Sequence, residues 1–129
     1  MASGDALSDR ERAEMERAAQ RAGQLAGLRF CVLFADSGGD ARAYAERAHG
    51  SLYDAERTVL IFVDPAARQT EVVTGSRAQR HIDDRAAKLA VMAMTSGFAL
   101  GDLAGGVVDG LQMLGEYGNR PPVRHTDTP

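Results

Sequence analysis

The sequence predicts a small α/β domain in which a mixed β-sheet is sandwiched between helices. Two short apolar runs, residues 28–35 and 58–63, have the length and the residue types of strands covered on both faces. Helical periodicity precedes, separates and follows these runs, which is the order expected of a layered α/β fold. We assign one domain to residues 1–118 and expect the polar, proline-containing residues 119–129 to be a disordered tail.

The first half of the chain is predicted to form a helix, a strand and a second helix. Ser8 and Glu11 have the spacing of a capping box, and the helix that they begin is expected to end before Gly27. After the first strand, Asp40 is expected to cap a helix that ends at Gly50. Because a helix joins them, the first two strands are expected to be parallel through a right-handed crossover.

A hairpin is predicted next. Residues 68–74 alternate polar and apolar side chains, which is typical of a strand with one wetter face. Only the turn at 64–67 separates this strand from the second one, so the two are expected to pair antiparallel. Ser76 and Gln79 have the spacing of a second capping box, which predicts one short helical turn.

Two longer helices complete the predicted fold. The first is expected over residues 85–96, with Asp83 or Asp84 as its cap and Gly97 as its end. The last is expected over residues 102–117. Small residues let a helix approach its neighbour closely, so the recurring glycines of this region predict tight packing of the last helix on the sheet: Gly101, Gly105, Gly106 and Gly110.

Composition excludes several classes of function. The net charge is −3 and the 15 cations are interspersed among 18 acidic residues, so no nucleic-acid partner is predicted. The longest apolar run, residues 30–35, is too short to span a membrane. The lone Cys31 and a charged N-terminal sequence without a signal-peptide core predict a cytoplasmic protein. A protein partner remains open, and the sequence does not set the oligomeric state.

Two features that could suggest catalysis have simpler explanations. Cys31 lies within a strand and has no histidine nearby in sequence, so we interpret it as a buried structural residue. The loop Ser37-Gly38-Gly39 lies between a strand and a helix, but it lacks the glycine spacing of dinucleotide or P-loop motifs. The sequence therefore contains no recognisable catalytic constellation.

The carboxylates give the strongest indication of chemistry. In the predicted topology Asp54 and Glu56 precede the second strand, Asp84 returns to the same end of the sheet, and Asp102 joins them if the last helix starts there. Converging carboxylates suit a hard cation such as Ca²⁺ or Mg²⁺. We give more weight to the alternative that they are helix caps and solvated turn residues. Three arginines among them could neutralise the cluster without a metal: Arg57, Arg77 and Arg80.

The stretch RTVLIFVDPAARQTEVVTGSRAQRHIDD, followed by SGFALGDLAGGVVDGL, resembles the TPM domain family, and in particular its uncharacterised actinobacterial branch. The shared features are a buried strand, a hairpin, the Thr74-Gly75 turn, the acidic Asp84 and the Gly101-Asp102 segment. The resemblance covers about residues 5–118. It implies a mixed sheet between helices, calcium binding as in some relatives, and the weak acid phosphatase activity proposed for plant members.

The resemblance matches Asp84 and Asp102 to acidic positions of the family, and either Glu56 or Asp54 to a third. The predicted metal ligands are therefore Asp54, Glu56, Asp84 and Asp102. However, Arg77 stands where the family has a glycine and Gln79 where it has a glutamate, and both changes weaken cation binding. We therefore favour a non-enzymatic binding or interaction module with an eroded acidic site and no certain cofactor. The alternative is a divalent-cation-dependent phosphomonoester hydrolase, a weak phosphatase at most.

Overall fold

The predicted layering is confirmed by the computed structural model, which describes residues 7–121. Residues 1–6 and 122–129, with most of the predicted tail, lie outside the described residues. The helices and strands follow in this order: α1 Asp9–Ala26, β1 Arg29–Phe34, α2 Ala41–Gly50, β2 Thr58–Asp64, β3 Gln69–Thr74, α3 Asp84–Ala99 and α4 Leu103–Gly118. Two 3-10 turns, Ala55–Arg57 and Ala78–Arg80, flank the hairpin at its open end.

The three strands form one sheet in the order β1-β2-β3. Both predicted pairings are confirmed: β1 runs parallel to β2 with Arg29 opposite Thr58, and β3 runs antiparallel to β2 with Thr74 opposite Val59. Every residue of β2 is buried, because this central strand is covered on both faces and both edges. β2 is therefore the centre from which the rest of the domain is arranged.

The two faces of the sheet are covered unequally. One face carries α1, α4 and α3 over a large core that includes Val59, Ile61 and Val63. The other face carries only α2, over a smaller core that includes Leu60 and Phe62. Because α2 packs mainly against β2 and β3, it leaves β1 only partly covered on that side. Side chains of β1 thus pack against the cores on both faces, as predicted, but the strand is only partly buried because it lies at an edge of the sheet.

The ends of α1 follow the sequence prediction closely. The Ser8 hydroxyl accepts the Glu11 N–H at 3.1 Å, and a Glu11 carboxylate oxygen accepts the Ser8 N–H at 2.9 Å. At the other end Gly27 adopts φ 71°, a left-handed conformation that glycine takes without strain. Both signals act through neighbouring residues, which is why the sequence alone located this helix.

Two local predictions in the second half are wrong. Ser76 does not cap the turn Ala78–Arg80, whose N-terminal position is Arg77 with no side-chain cap bond. The turn is instead fixed by backbone bonds, in which the Arg77 N–H donates to the Glu56 carbonyl at 2.9 Å. The residue Gly97 does not end α3 either, because it faces the Gly106 backbone where α3 and α4 cross, and the helix continues to Ala99.

The glycines of α4 serve helix–helix packing rather than packing on the sheet. A Cβ at Gly110 would lie 2.5 Å from the Met94 side chain of α3, and one at Gly115 would lie 3.0 Å from Ala22 of α1. Close approach of α4 to both neighbours therefore requires these small residues. Within residues 7–121, none of the helices combines the length and the hydropathy that crossing a bilayer would require.

Candidate binding groove at the edge of the sheet

The first pair of predicted metal ligands lies at the amino end of β2, beside arginines. The Asp54 carboxylate is 3.5 Å from the Arg57 guanidinium, and the Glu56 carboxylate is 4.0 Å from that of Arg77. Gly75 packs directly on this segment, since a Cβ there would lie 1.9 Å from the Ala55 carbonyl oxygen. Asp54 and Glu56 thus each lie within 4.0 Å of an arginine guanidinium.

The other two predicted ligands are at opposite ends of α3. Asp84 begins α3 at the same end of the sheet as Glu56, which agrees with the antiparallel hairpin. Asp102 follows the far end of α3, a helix of 16 residues that is about 24 Å long. There it caps α4 by accepting the Gly105 N–H at 2.8 Å. The last helix does start at Asp102, as predicted, but the length of α3 separates this residue from the other three.

No three or more histidine, cysteine, aspartate or glutamate side chains are placed to hold a metal ion among residues 7–121. The structure thus brings Asp54, Glu56 and Asp84 to one end of the sheet without converging them on a common point, and it places Asp102 elsewhere. The cation site of Asp54, Glu56, Asp84 and Asp102 therefore stays a prediction.

A buried carboxylate that the sequence reasoning did not single out lies at the opposite end of β2. Asp64 is only 1% exposed, and it accepts the Ser37 N–H at 2.9 Å and the Ser37 hydroxyl at 2.7 Å. The Ala67 N–H adds a third bond, at 3.1 Å. The hydrogen bonds from Ser37 hold the pKa of the Asp64 carboxyl below its usual value, although burial opposes this. Asp64 therefore fixes the loop after β1 against the hairpin turn.

The glycine loop that follows β1 has its own N–H groups occupied. The Gly38 N–H donates to the Asp36 carboxylate at 3.0 Å, and the Gly39 N–H donates to the Ser37 hydroxyl at 3.3 Å. At the start of α2, Asp40 accepts the Ala43 N–H at 3.0 Å. A phosphate cradle needs such donors free for the ligand. The interpretation of Ser37-Gly38-Gly39 as turn residues thus agrees with the structure.

The outer edge of β1 presents backbone groups that are not used in the sheet. The Ala35 N–H donates to the Val63 carbonyl at 3.1 Å, which sets the alternation of the parallel ladder. Odd-numbered residues of β1 therefore bond to β2, while the N–H and C=O groups of Phe30, Val32 and Phe34 point outward. No other strand of residues 7–121 pairs with this edge.

These outward groups line a groove of about 820 Å³ between β1 and α1. We call it the β1 groove and define it by six of its lining residues: Leu7, Met15, Ala19, Phe30, Val32 and Phe34. Most of this lining is apolar, and Arg12, Glu16 and Arg29 supply charges at its rim. Backbone donors and acceptors beside an apolar surface are the two features that strand addition requires.

The groove exists because the helical layer is wider than the sheet. α4 packs between α1 and α3, so three helices lie side by side over three strands. Helix axes pack about 8–10 Å apart and strands about 4.8 Å apart, so the outer helices are about 16–20 Å apart and the outer strands about 9.5 Å. With these general spacings, and with the two layers centred on each other, the axis of α1 would lie about 3–5 Å outside β1.

The opposite edge of the sheet is protected. An Arg42 guanidinium N–H from α2 donates to the outward carbonyl of Val72 on β3 at 3.0 Å. The same guanidinium also contacts the carboxylates of Glu46 at 2.9 Å and Glu71 at 3.2 Å. Only β1 thus leaves an apolar edge accessible among the described strands.

Comparison with known proteins gives the relationship of this chain. A family model described as Domain of unknown function (DUF5130) matches residues 2–115. The chain belongs to this family. Two curated relatives are "Uncharacterized protein MT2543" and "Uncharacterized protein Rv2468c", from Mycobacterium tuberculosis strains CDC 1551 / Oshkosh and ATCC 25618 / H37Rv. Each is 32% identical over 87 residues, covering 67% of this chain and 52% of the relative. The chain thus spans about half the length of the curated relatives it matches.

Two solved structures share the DUF5130 fold seen here. The NMR structure of the BA42 protein from Bizionia argentinensis matches with a TM-score of 0.75 at 18% identity, covering 94% of this chain and 88% of that one. The N-terminal domain of the cg2496 protein from Corynebacterium glutamicum gives 0.72 at 15% identity, covering 92% and 82%. At these identities the likeness concerns the fold alone.

The sequence does not reveal the β1 groove of this DUF5130 domain, because the residue types of the two apolar runs are alike. The predicted pairings do contain one signal: the second strand has two predicted partners, whereas the first has only one. A strand with one partner is an edge strand.

Proposed function

We propose that this DUF5130 domain is a non-enzymatic binding module that docks an extended polypeptide segment along β1. One observation carries the proposal: the outward backbone groups of Phe30, Val32 and Phe34 lie along the apolar β1 groove. A segment that pairs with them would extend the sheet by one strand, as in the known modes of β-strand addition.

The energetics favour such docking. Each backbone hydrogen bond gained contributes about 0.5–1.5 kcal/mol, and a six-residue segment can form several with these three residues. Apolar side chains of the segment would add burial at about 25 cal/mol per Å² against the partly exposed Ala19, Val32 and Phe34. Phe30 is only 9% exposed, so its side chain is packed before any segment binds. Little ordering of the domain would therefore oppose binding.

The hydrolase alternative has less support. Arg57 and Arg77 lie beside Asp54 and Glu56, and Asp102 caps α4, so the carboxylates serve contacts that a cation would have to displace. Because no three of the described histidine, cysteine, aspartate or glutamate side chains are placed to hold a metal ion, we derive no catalytic step through one. The acidic end of the sheet is better explained by helix caps and ion pairs.

We further propose that DUF5130 is a branch of TPM-like domains. The order helix, strand, helix, hairpin and two helices supports this relationship, as does the Gly101-Asp102 segment that begins α4. The lone Cys31 and the interspersed charges support a cytoplasmic domain whose partner is a protein rather than a nucleic acid.

The test is binding to synthetic hexapeptides of alternating β-branched and polar residues, followed by amide NMR. We expect the Phe30, Val32 and Phe34 amide signals to shift and to exchange more slowly with solvent when a peptide binds. If no peptide of such a panel affects these three amides at millimolar concentration, the proposal is wrong.

A pair of proline variants sharpens this test. The Val32 N–H points outward from β1 and the Thr70 N–H points outward from β3, so proline at either position spares the ladder with β2. We expect Val32→Pro to abolish peptide binding and Thr70→Pro to leave it unchanged. Circular dichroism of both variants verifies that each is folded, and equal loss in the two would contradict docking at β1.

A further inference from the structure

We infer that the β1 groove accepts one extended segment of another protein, antiparallel to β1, with apolar side chains at alternate positions and a carboxylate at the end beside Arg29. This inference rests on the proposed function and specifies its partner. It follows from the width of the groove, the alternation of β1 and the charge at its rim, and the direction follows from the greater stability of antiparallel pairing.

The width of the groove suits a single strand. With the general spacings of helices and strands, the axis of α1 would lie about 3–5 Å outside β1, and the next strand of a sheet would lie about 4.8 Å outside it. An added strand would thus lie under α1, with one face against Met15 and Ala19 of that helix. Beyond this position the helical layer of the described domain ends, so nothing would cover a second added strand.

A second copy of the domain does not fit the same position. Two β1 strands paired antiparallel by a two-fold axis would have both α1 helices on one face of the joint sheet. Their axes would be only about 1–5 Å apart, whereas packed helices need about 8–10 Å. A parallel two-fold pair would place identical outward groups at the same height, N–H against N–H, and the parallel ladder requires an offset. The occupant is therefore a segment without its own covering helix.

Residues 7–121 supply no such segment, because all three described strands already pair within the sheet. We therefore assign the segment to a partner protein.

The alternation of β1 determines the side-chain pattern of the partner. In an antiparallel pair, the segment residues opposite Phe34, Val32 and Phe30 exchange hydrogen bonds with β1 and point toward α1. These three positions require apolar side chains. The residues between them point toward the α2 side, where Cys31 and Leu33 are only half-buried, and small or β-branched residues suffice.

The charge of Arg29 indicates which residue type is preferred at the carboxyl end of the segment. Arg29 is exposed at the start of β1, where its guanidinium lies 5.4 Å from the Tyr53 ring. The residue opposite Arg29 in an antiparallel pair is the sixth of the segment and points to the same side of the sheet. A carboxylate there would pair with the guanidinium, so an acidic carboxyl-terminal residue is preferred.

The experiment compares two peptides, acetyl-Val-Thr-Ile-Thr-Val-Asp-amide and the same peptide with lysine in place of aspartate. We expect the aspartate peptide to bind about three- to tenfold more tightly, as expected for an exposed cross-strand pair. In the Arg29→Glu protein the preference should reverse, while Arg17→Glu on the far side of α1 should leave it unchanged. Amide titration by NMR gives each dissociation constant.

The outcomes separate this inference from the proposed function. Equal binding of the two peptides at the Phe30, Val32 and Phe34 amides would overturn the assigned end but leave docking at β1 intact. Absence of binding by both, and by the wider panel, would overturn docking itself. A nitroxide at the amino end of the peptide should broaden the Phe34 amide more than that of Arg29, and the opposite result would overturn the antiparallel direction.

A separate measurement tests whether a second copy of the domain binds at β1. Sedimentation equilibrium of the unliganded domain should give a monomer up to about millimolar concentration. A dimer that the aspartate peptide dissociates would show that β1 pairs with itself, and would overturn the single-segment occupant.

Discussion

The two edges of the sheet differ in how they treat exposed backbone. On β3 the strand sequence QTEVVT is mostly polar, and Arg42 reaches across from α2 to the outward carbonyl of Val72. On β1 the sequence RFCVLF is apolar after its first residue, and Phe30, Val32 and Phe34 present their outward groups to a groove. The β3 edge is closed by side chains of the domain, and the β1 edge is left open beneath α1.

This difference supports the proposed docking of a segment at β1. Sheet edges invite unwanted pairing, and natural proteins protect them with charges, prolines or covering elements. Arg42 and Glu71 provide that protection on β3. At β1 the backbone is not paired, and in the proposed geometry α1 would cover one added strand and exclude a second domain. The unpaired backbone of β1 beside an apolar groove is therefore the best candidate for a docking site in this fold.

The largest expected effect is at the end of β3. A Cβ at Gly75 would lie 1.9 Å from the Ala55 carbonyl oxygen, so Gly75→Ala must move backbone on one of the two segments. We expect a loss of about 3 kcal/mol or more in the free energy of unfolding. Hydrogen exchange should show β3 loosening more than β1. The neighbouring Ser76→Ala, which removes no cap, should change stability by less than about 0.5 kcal/mol.

The next effect concerns Asp64, whose carboxylate connects the loop after β1 to the hairpin turn between β2 and β3. In Asp64→Asn an NH₂ group replaces one of the two carboxylate oxygens and would face the N–H donors of Ser37 or Ala67. We expect a loss of about 1–3 kcal/mol in the free energy of unfolding near neutral pH. Urea unfolding of the variant measures this loss, and Asp36→Asn is the exposed control in the same loop.

The same residue predicts a pH dependence. The folded-state pKa of Asp64 is lowered, so its stabilising contribution is fully present above the unfolded-state pKa of about 3.9 and is lost as pH falls through the folded value. The wild-type protein should therefore lose more stability than Asp64→Asn on acidification below about pH 4. Parallel acid-unfolding curves for the two proteins would contradict the assignment.

A smaller effect should follow from opening the β3 edge. Arg42→Ala frees the Val72 carbonyl and removes the contacts with Glu46 and Glu71. Since Arg42 is half exposed, we expect a loss of at most about 1 kcal/mol in the free energy of unfolding. Arg47→Ala, on the same helix but away from β3, is the control. If Arg42 closes this edge, the Val72 carbon signals should change only in Arg42→Ala.

The smallest expected effect is that of calcium. Because Arg57 and Arg77 lie within 4.0 Å of Asp54 and Glu56, millimolar Ca²⁺ should leave the amide signals of residues 54–56, 75–84 and 102 nearly unshifted. Saturable shifts at Glu56 and Asp84 together would instead restore the metal-dependent alternative. In that case, the acidic end of the sheet would compete with the β1 edge as the functional region.

Local signals determined most of the fold. The capping box at Ser8 and Glu11 and the left-handed Gly27 set the limits of α1 through contacts within a few residues. The crossover and the short turn likewise set the parallel and antiparallel pairings, since connection length limits strand direction. Local signals gave wrong predictions at two positions where a residue distant in sequence makes the contact. Gly97 lies against Gly106 and stays within α3, and the Arg77 N–H donates to the Glu56 carbonyl where a Ser76 cap was predicted.

The sequence by itself determined which residues form strands and helices, because periodicity, caps and turns act between neighbours along the chain. It could not determine the distance between Asp84 and Asp102, which depends on how far α3 carries the chain across the sheet. Nor could it show that β1 is the open edge, because that follows from packing three helices about 8–10 Å apart over strands about 4.8 Å apart. Only the tertiary structure decided that mismatch of widths, and with it the groove.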